Sequence, residues 1–160
     1  MKNLLSQRQA YIDTNIFFYV ATKHPKFYTA CVKVLEALTE EEYVGYGSNL
    51  VLFELFGSLS KLNAKAAYNA AIAYLSLPLH ILRVDREVLA IARDIAELSN
   101  TTYDAIHAAL IAKNCIDTVI TEDIRHWRKI ASIWDYIEKK YDTCKLTLFS
   151  PTKGFIKMQQ

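Results

Sequence analysis

Tyr11-Ile12-Asp13-Thr14-Asn15 is the stretch on which the reading of this chain turns. Tyr11 and Ile12 are apolar and lead into Asp13, and an apolar run resumes from Ile16 to Val20 with helical or buried character. That pattern describes a short buried strand that ends in a carboxylate. In open α/β sheets the ligand crevice lies beyond the carboxyl ends of the strands, so an Asp at that edge points into the expected site. Asp, Thr and Asn are also good helix caps and turn formers, and on this stretch alone capping is the simpler reading. The rest of the chain decides between the two.

Working outward, Tyr28, Cys31, Val32, Leu35 and Leu38 fall at helical spacing from Pro25 onward, and Glu40 to Glu42 end that element. Tyr43 to Tyr46 reads as a second strand, with Ser48 capping a helix from about Asn49 to Leu62. An alanine-rich helix, Ala64 to Leu75, stops before Pro78. His80 to Val84 is the third expected strand, and Asp85 caps a helix whose stripe is Val88, Leu89, Ala92, Ile95 and Ala96. Thr101 and Thr102 open a helix from Tyr103 to about Lys113. The β-branched Thr118-Val119-Ile120 is a fourth strand that delivers Thr121, Glu122 and Asp123 to its carboxyl end, as the first delivers Asp13. Trp127, Ala131, Trp134, Ile137 and Tyr141 predict one amphipathic helix from Ile124, and Leu146 to Phe149 a last strand before Pro151. Strands alternating with helices imply a parallel sheet of about five strands covered on both faces.

A chain of 160 residues with 52% hydrophobic content fits one domain, 1–160, with a substantial core; residues 1–10 and about 152–160 read as loosely ordered ends. Lys and Arg number 19 against 17 acids, so no global charge declares a nucleic-acid partner, and a local patch would have to recognise one. Cys31, Cys115 and Cys144 lie far apart and form no CxxC pair, which suggests neither a zinc site nor a disulfide framework and fits a reducing, cytoplasmic setting. No apolar run is long enough to span a bilayer, and the first ten residues lack a signal-peptide core, so a soluble protein without membrane association is expected.

Four acids resist a purely structural explanation. Glu54 interrupts Leu50-Val51-Leu52-Phe53 and Leu55-Phe56, a helix apolar nearly all round and therefore expected to be buried. A buried Glu needs partners, so Glu54 either reaches solvent at a seam or faces polar groups in a crevice. Asp104 opens a helix that presents Ala105, Ala108, Ala109 and Ala112, small enough to let the sheet approach; it also suits the helix dipole. Asp123 doubles as an N-cap for the Trp127 helix, and Glu122 beside it reads as solvent-facing. If Asp13, Glu54, Asp104 and Asp123 converge, carboxylates about 5 Å apart repel by roughly 3 kcal/mol per pair at an effective dielectric of 20, and a divalent cation is the simplest remedy. Carboxylate oxygens with waters suit Mg²⁺ or Mn²⁺, whose shell is completed by substrate phosphate. The chemistry implied is phosphodiester hydrolysis.

Asp13-Thr14-Asn15 after a strand, Phe53-Glu54-Leu55, Tyr103-Asp104-Ala105 followed by His107-Ala108-Ala109, and Thr121-Glu122-Asp123 together resemble the ordered acidic motifs of PIN-domain ribonucleases. The likeness spans about Tyr11 to Pro151. It implies a Rossmann-like three-layer α/β/α fold, Mg²⁺ or Mn²⁺ dependence and endoribonuclease activity on RNA, as in VapC-like toxins of VapBC toxin-antitoxin pairs. By the same resemblance Asp13, Asp104 and Asp123 hold metal, Glu54 is a direct or water-mediated ligand, and Asn15 and Thr121 orient the acids. A cognate antitoxin and a homodimer are implied as partners. Two departures bear on the toxin role rather than on the chemistry: Ile124 to Cys144 is longer than compact toxins need, and residues 1–10 precede the usual start. An RNA-processing nuclease of the same family and a non-catalytic PIN-fold binding module are the alternatives.

Other signals weigh less. Gly45-Tyr46-Gly47-Ser48-Asn49-Leu50 imitates a dinucleotide fingerprint, but Leu50 stands where Gly or Ala belongs. Ser48 lacks a nucleophile elbow, and the four histidines lack HExxH spacing. His107, one turn beyond Asp104, can border the site, although packing is the more common role. Arg125, His126, Arg128 and Lys129 read as a solvated helix face, with Arg125 nearest the acids and the best placed to meet RNA.

Overall fold

The strand that carries Asp13 is the middle of the sheet. In this computed structural model, which describes residues 4–158, β1 (Gln9–Ile12) pairs in parallel with β2 (Val44–Ser48) on one side and β4 (Thr118–Ile120) on the other. Tyr11 lies opposite Tyr46 and Val119. Beyond them β3 (Leu79–Leu82) and β5 (Thr147–Ser150) extend the parallel sheet, and β6 (Gly154–Phe155) closes one edge antiparallel, in the order β3-β2-β1-β4-β5-β6. Ala10, Tyr11, Ile12, Thr118, Val119 and Ile120 are all fully buried, so side chains on both faces of the central strands are covered, as parallel sheets require.

The cover is two groups of helices. α1 (Thr14–Ala21), α2 (Tyr28–Thr39), α3 (Asn49–Ser60) and α4 (Ala64–Leu75) pack on one another. So do α5 (Arg86–Ser99), α6 (Tyr103–Lys113), α7 (Ile124–Ser132) and α8 (Trp134–Tyr141). The Rossmann-like α/β architecture is the expected one. Ser48 caps α3 by accepting from the Val51 amide, and Asp85 caps α5 by accepting from Val88. Gly45 and Gly47 owe their place to packing: a β-carbon would sit 2.3 Å from Leu38 Cδ1 and 2.1 Å from the Tyr74 hydroxyl. That hydroxyl accepts from the Ser48 amide and donates to the Ser48 carbonyl, so both glycines serve side-chain packing.

Several expectations need correction. The sheet has six strands, because Gly154 adopts a left-handed φ of 76° and turns the chain back along β5. Within the described parts of the two ends, Leu5 is buried, Gln9 and Ala10 belong to β1 and Ile156 packs on the core, while Leu4, Thr152 and Lys153 are exposed. The single helix expected from Ile124 is two, broken at Ile133, where neither Gly nor Pro marks the break. The stripe of α5 omits Leu89, which is about half exposed, and α3 is not buried all round, since Phe53 is 66% exposed and Phe56 44%. Glu122 does not face solvent freely; it accepts from the Ser150 hydroxyl and from the amide and hydroxyl of Thr152, which ties β4 to the β5–β6 turn.

The cysteine reading also fails. Cys115 and Cys144 form a disulfide across 29 residues with a Cα separation of 4.9 Å, and Cys31 alone stays free and buried. The bond fastens the end of α6 to the segment after α8. Thr143, which donates to the Ala112 carbonyl, and the Trp134 indole, which donates to the Cys144 carbonyl, hold the same junction. No described helix is long and apolar enough to cross a membrane.

Candidate active site

Asp13 and Asp123 follow β1 and β4, the adjacent strands from which the chain leaves in opposite directions along the sheet. This switch point opens the crevice in which such sheets bind ligands. Both acids are also N-caps, Asp13 accepting from the Thr14 amide at 2.8 Å and Asp123 from the His126 amide at 3.3 Å. The cap positions of both acids therefore also lie at the edge of the crevice. Asp13, Glu54, Asp104 and Asp123 line one cavity of about 470 Å³.

The side chain of Asp13 is 5% exposed and tightly held. Its Oδ2 accepts from the Thr121 hydroxyl (2.7 Å), the Asn15 amide (2.9 Å) and the Trp127 indole (2.9 Å). Its Oδ1 accepts only from Thr14 among the described residues. Asn15 bridges the two strand ends: it donates to the Thr121 hydroxyl and accepts from the Glu122 amide. Thr121 in turn accepts from the Asp123 amide at 3.0 Å. Asn15 and Thr121 thus hold the Asp13 carboxylate, and Thr121 also holds the Asp123 backbone. The part of Trp127 was missed: its 0% exposure marks it as core, yet its indole N–H neutralises part of a buried carboxylate.

Glu54 faces polar groups in the crevice. The Thr14 hydroxyl donates to its Oε1 at 3.1 Å, and His107 Nε2 contacts the same oxygen closely. His107 is 1% exposed and starts a buried chain, with its Nδ1 2.7 Å from the Tyr11 hydroxyl and that hydroxyl 2.7 Å from Ser48 Oγ. Burial alone would depress the imidazole; the hydrogen bond to Glu54 and the charges of Asp13, Glu54 and Asp104 outweigh it and raise its pKa. The same burial drives the Tyr11 phenol well above its ordinary range, so Tyr11 serves as a neutral link. His107 is buried behind Glu54 and does not line the crevice. No single segment reveals this chain, since its members come from β1, the end of β2, α3 and α6.

Asp104 receives no hydrogen bond from the described residues. Burial first, then the charge of Asp13, and to a smaller degree that of Asp123, push its carboxyl up to about 6 against the opposing pull of His107 and His126. The alanine face of α6 explains its depth: Ala105, Ala108, Ala109 and Ala112 are all buried, which lets the helix approach closely. His126 is a further neighbour that the motifs did not single out, 2.7 Å from Asp123 and 4.0 Å from Asp104. Ligand atoms of Asp104, Asp123 and His126 all lie within 4.8 Å of one another. Asp13 and Glu54 are outside that tight group but on the same crevice wall. Arg125 is exposed on α7 and does not line the crevice.

The donor set fits a hard divalent ion. Asp104 and Asp123 offer carboxylate oxygens, Asp13 keeps one oxygen lightly used, and a cation offsets both the burial and the neighbouring charge that raise Asp104.

An α/β sheet with a carboxylate crevice at its switch point defines a class of proteins, and the sequence identifies the family. Residues 10–133 match the PIN domain, and the chain belongs to that family. The structure is similar to a chain of VapBC2 from Rickettsia felis, solved bound to a promoter DNA fragment, at TM-score 0.60 and 20% identity over 87% of this chain and 97% of that one. It is likewise similar to the sarcin-ricin-loop-cleaving toxin VapC20 of Mycobacterium tuberculosis (TM-score 0.63, 20% identity, 74% of this chain and 92% of that one). A chain of DNA-bound VapBC from Salmonella typhimurium gives TM-score 0.61 at 16% identity over 91% and 99%. At such identities the likeness carries the fold. Among curated proteins no sequence matches significantly.

Proposed function

We propose that this PIN domain is a divalent-metal-dependent endoribonuclease, the toxin of a type II toxin-antitoxin pair with a cognate antitoxin and a homodimeric state. The observation that carries the nuclease reading is the gathering of four carboxylates, from four separate parts of the chain, around one crevice in which Asp104 is pushed up to about 6. Such crowding costs stability, and catalytic sites are where such costs recur. Asp13, Asp104 and Asp123 would hold the Mg²⁺ or Mn²⁺, with Glu54 a direct or water-mediated ligand and His126 a further candidate.

When bound, the ion supplies a Lewis acid that makes water nucleophilic near neutral pH and offsets charge on phosphoryl oxygens. The chain's own residues do the positioning. Asn15, Thr121 and Trp127 fix Asp13 Oδ2, the Thr14 amide holds Oδ1, and the Thr14 hydroxyl and His107 fix Glu54 Oε1. Water adds to phosphorus in line with the departing oxygen, the P–O bond to that oxygen breaks, and the oxygen leaves with a proton.

The test is cleavage of varied RNAs by the purified chain with Mg²⁺, with Mn²⁺ and with EDTA. Cleavage that needs the ion and is lost in folded Asp13→Asn and Asp104→Asn variants is expected; full activity in both variants defeats the assignment. No cleavage of any RNA with either ion favours a non-catalytic binding module. The toxin role is read separately, from growth arrest on induction that Asp104→Asn relieves; cleavage without arrest favours an RNA-processing nuclease.

A further inference from the structure

Among the described residues lining the carboxylate crevice there is one cation, Lys61. It caps the C-terminus of α3, and Ser58 and Lys61 follow Glu54 at i+4 and i+7 spacing, so the three line one wall together. Seven residues of helix place the Lys61 backbone about 10 Å along the axis from Glu54, and helical side chains lean back toward the N-terminus, which brings its ammonium group toward the acids. No ion pair among the described residues engages Lys61, whereas Lys113 and Lys140 are each held by acids. A crevice built of carboxylates repels a polyanion. An unpaired ammonium and a serine hydroxyl on the same crevice wall are the complementary feature, because Lys binds phosphate as an adaptable point charge.

We infer that Lys61 and Ser58 form a subsite for the backbone phosphate adjacent to the scissile one in a bound RNA strand. The inference rests on the nuclease reading and adds which residues hold the strand and on which side of the acids it runs. Lys61 acts on binding and leaves the reacting atoms to the carboxylates.

The experiment measures binding of a short, unpaired, fluorescein-labelled oligoribonucleotide by anisotropy, over a range of salt, with Asp104→Asn present to prevent cleavage. Adding Lys61→Ala is expected to weaken binding about tenfold and to make the slope of log affinity on log salt shallower by about 0.7. Lys61→Arg restores both, and Lys33→Ala on α2, outside the crevice, changes neither. In cleavage by protein with Asp104 intact, Lys61→Ala raises KM and leaves kcat near its original value. Unchanged affinity and salt slope in Lys61→Ala overturn the subsite even where metal-dependent cleavage is present. A Lys61-dependent salt slope in a protein that cleaves nothing with Mg²⁺ or Mn²⁺ upholds the subsite and removes the nuclease reading. Failure of the unsubstituted crevice to bind RNA removes both.

Discussion

Replacing Asp104 by Asn should make the metal-free protein more stable while it destroys the response to metal. The carboxyl is raised from 3.8 to about 6 by burial and by its acidic neighbours. A raised carboxyl binds its proton more tightly in the folded state, so folding is penalised once pH exceeds the unfolded value and the full penalty is reached above about 6. That displacement corresponds to about 3 kcal/mol at pH 7.5, an upper figure because the side chain is 28% exposed to solvent. Asn gives up a favourable first-turn charge worth about 0.5 kcal/mol, and no hydrogen bond from the described residues is lost. A net gain of about 2 kcal/mol remains, or about 4 to 8 °C in Tm for a chain of this size. The assay is urea and thermal unfolding in EDTA at pH 7.5 and pH 5, with and without Mn²⁺. The gain should shrink by about half at pH 5, where the folded carboxyl is largely protonated, and Mn²⁺ should stabilise the parent alone. An Asn variant no more stable than the parent at pH 7.5, or a gain independent of pH, would refute the claim that Asp104 is held against its charge.

The other expectations concern what surrounds the acids. Trp127→Phe keeps an aromatic ring but removes a donor to Asp13; it should cost about 1 to 3 kcal/mol in unfolding and weaken Mn²⁺ binding at least tenfold in titration calorimetry. Unchanged metal affinity would show that the indole only fills space. Tyr11→Phe cuts the chain from Ser48 to His107; a loss of about 1 to 2 kcal/mol is expected, and none at all would mean the chain is dispensable. Reduction of the Cys115–Cys144 disulfide, or Ser at both positions, releases a loop of 29 residues and should lower stability by about 3 to 4 kcal/mol by chain entropy. Denaturant midpoints that coincide with and without reductant would count against that figure.

Local patterns fixed the order and type of most elements. Thr118 to Ile120 and Tyr103 to Lys113 match β4 and α6 residue for residue, because β-branched runs and helical spacing of alanines are properties of neighbours along the chain. The acids were legible for a related reason: a carboxylate that ends a buried strand, or that breaks an apolar helix face, is costly unless something uses it. What the sequence could not show is anything that depends on distance through space. The Trp127 bond to Asp13 spans 114 residues, the His107–Glu54 pair 53 and the disulfide 29. Each has an ordinary local explanation, as core, packing or isolated cysteine, until the parallel sheet stacks β1 against β4. The same stacking sets how close Asp104 comes to Asp13 and Asp123, and thereby its proton affinity. Residue types thus determined which groups could carry charge chemistry, and the tertiary fold decided which of them share a field.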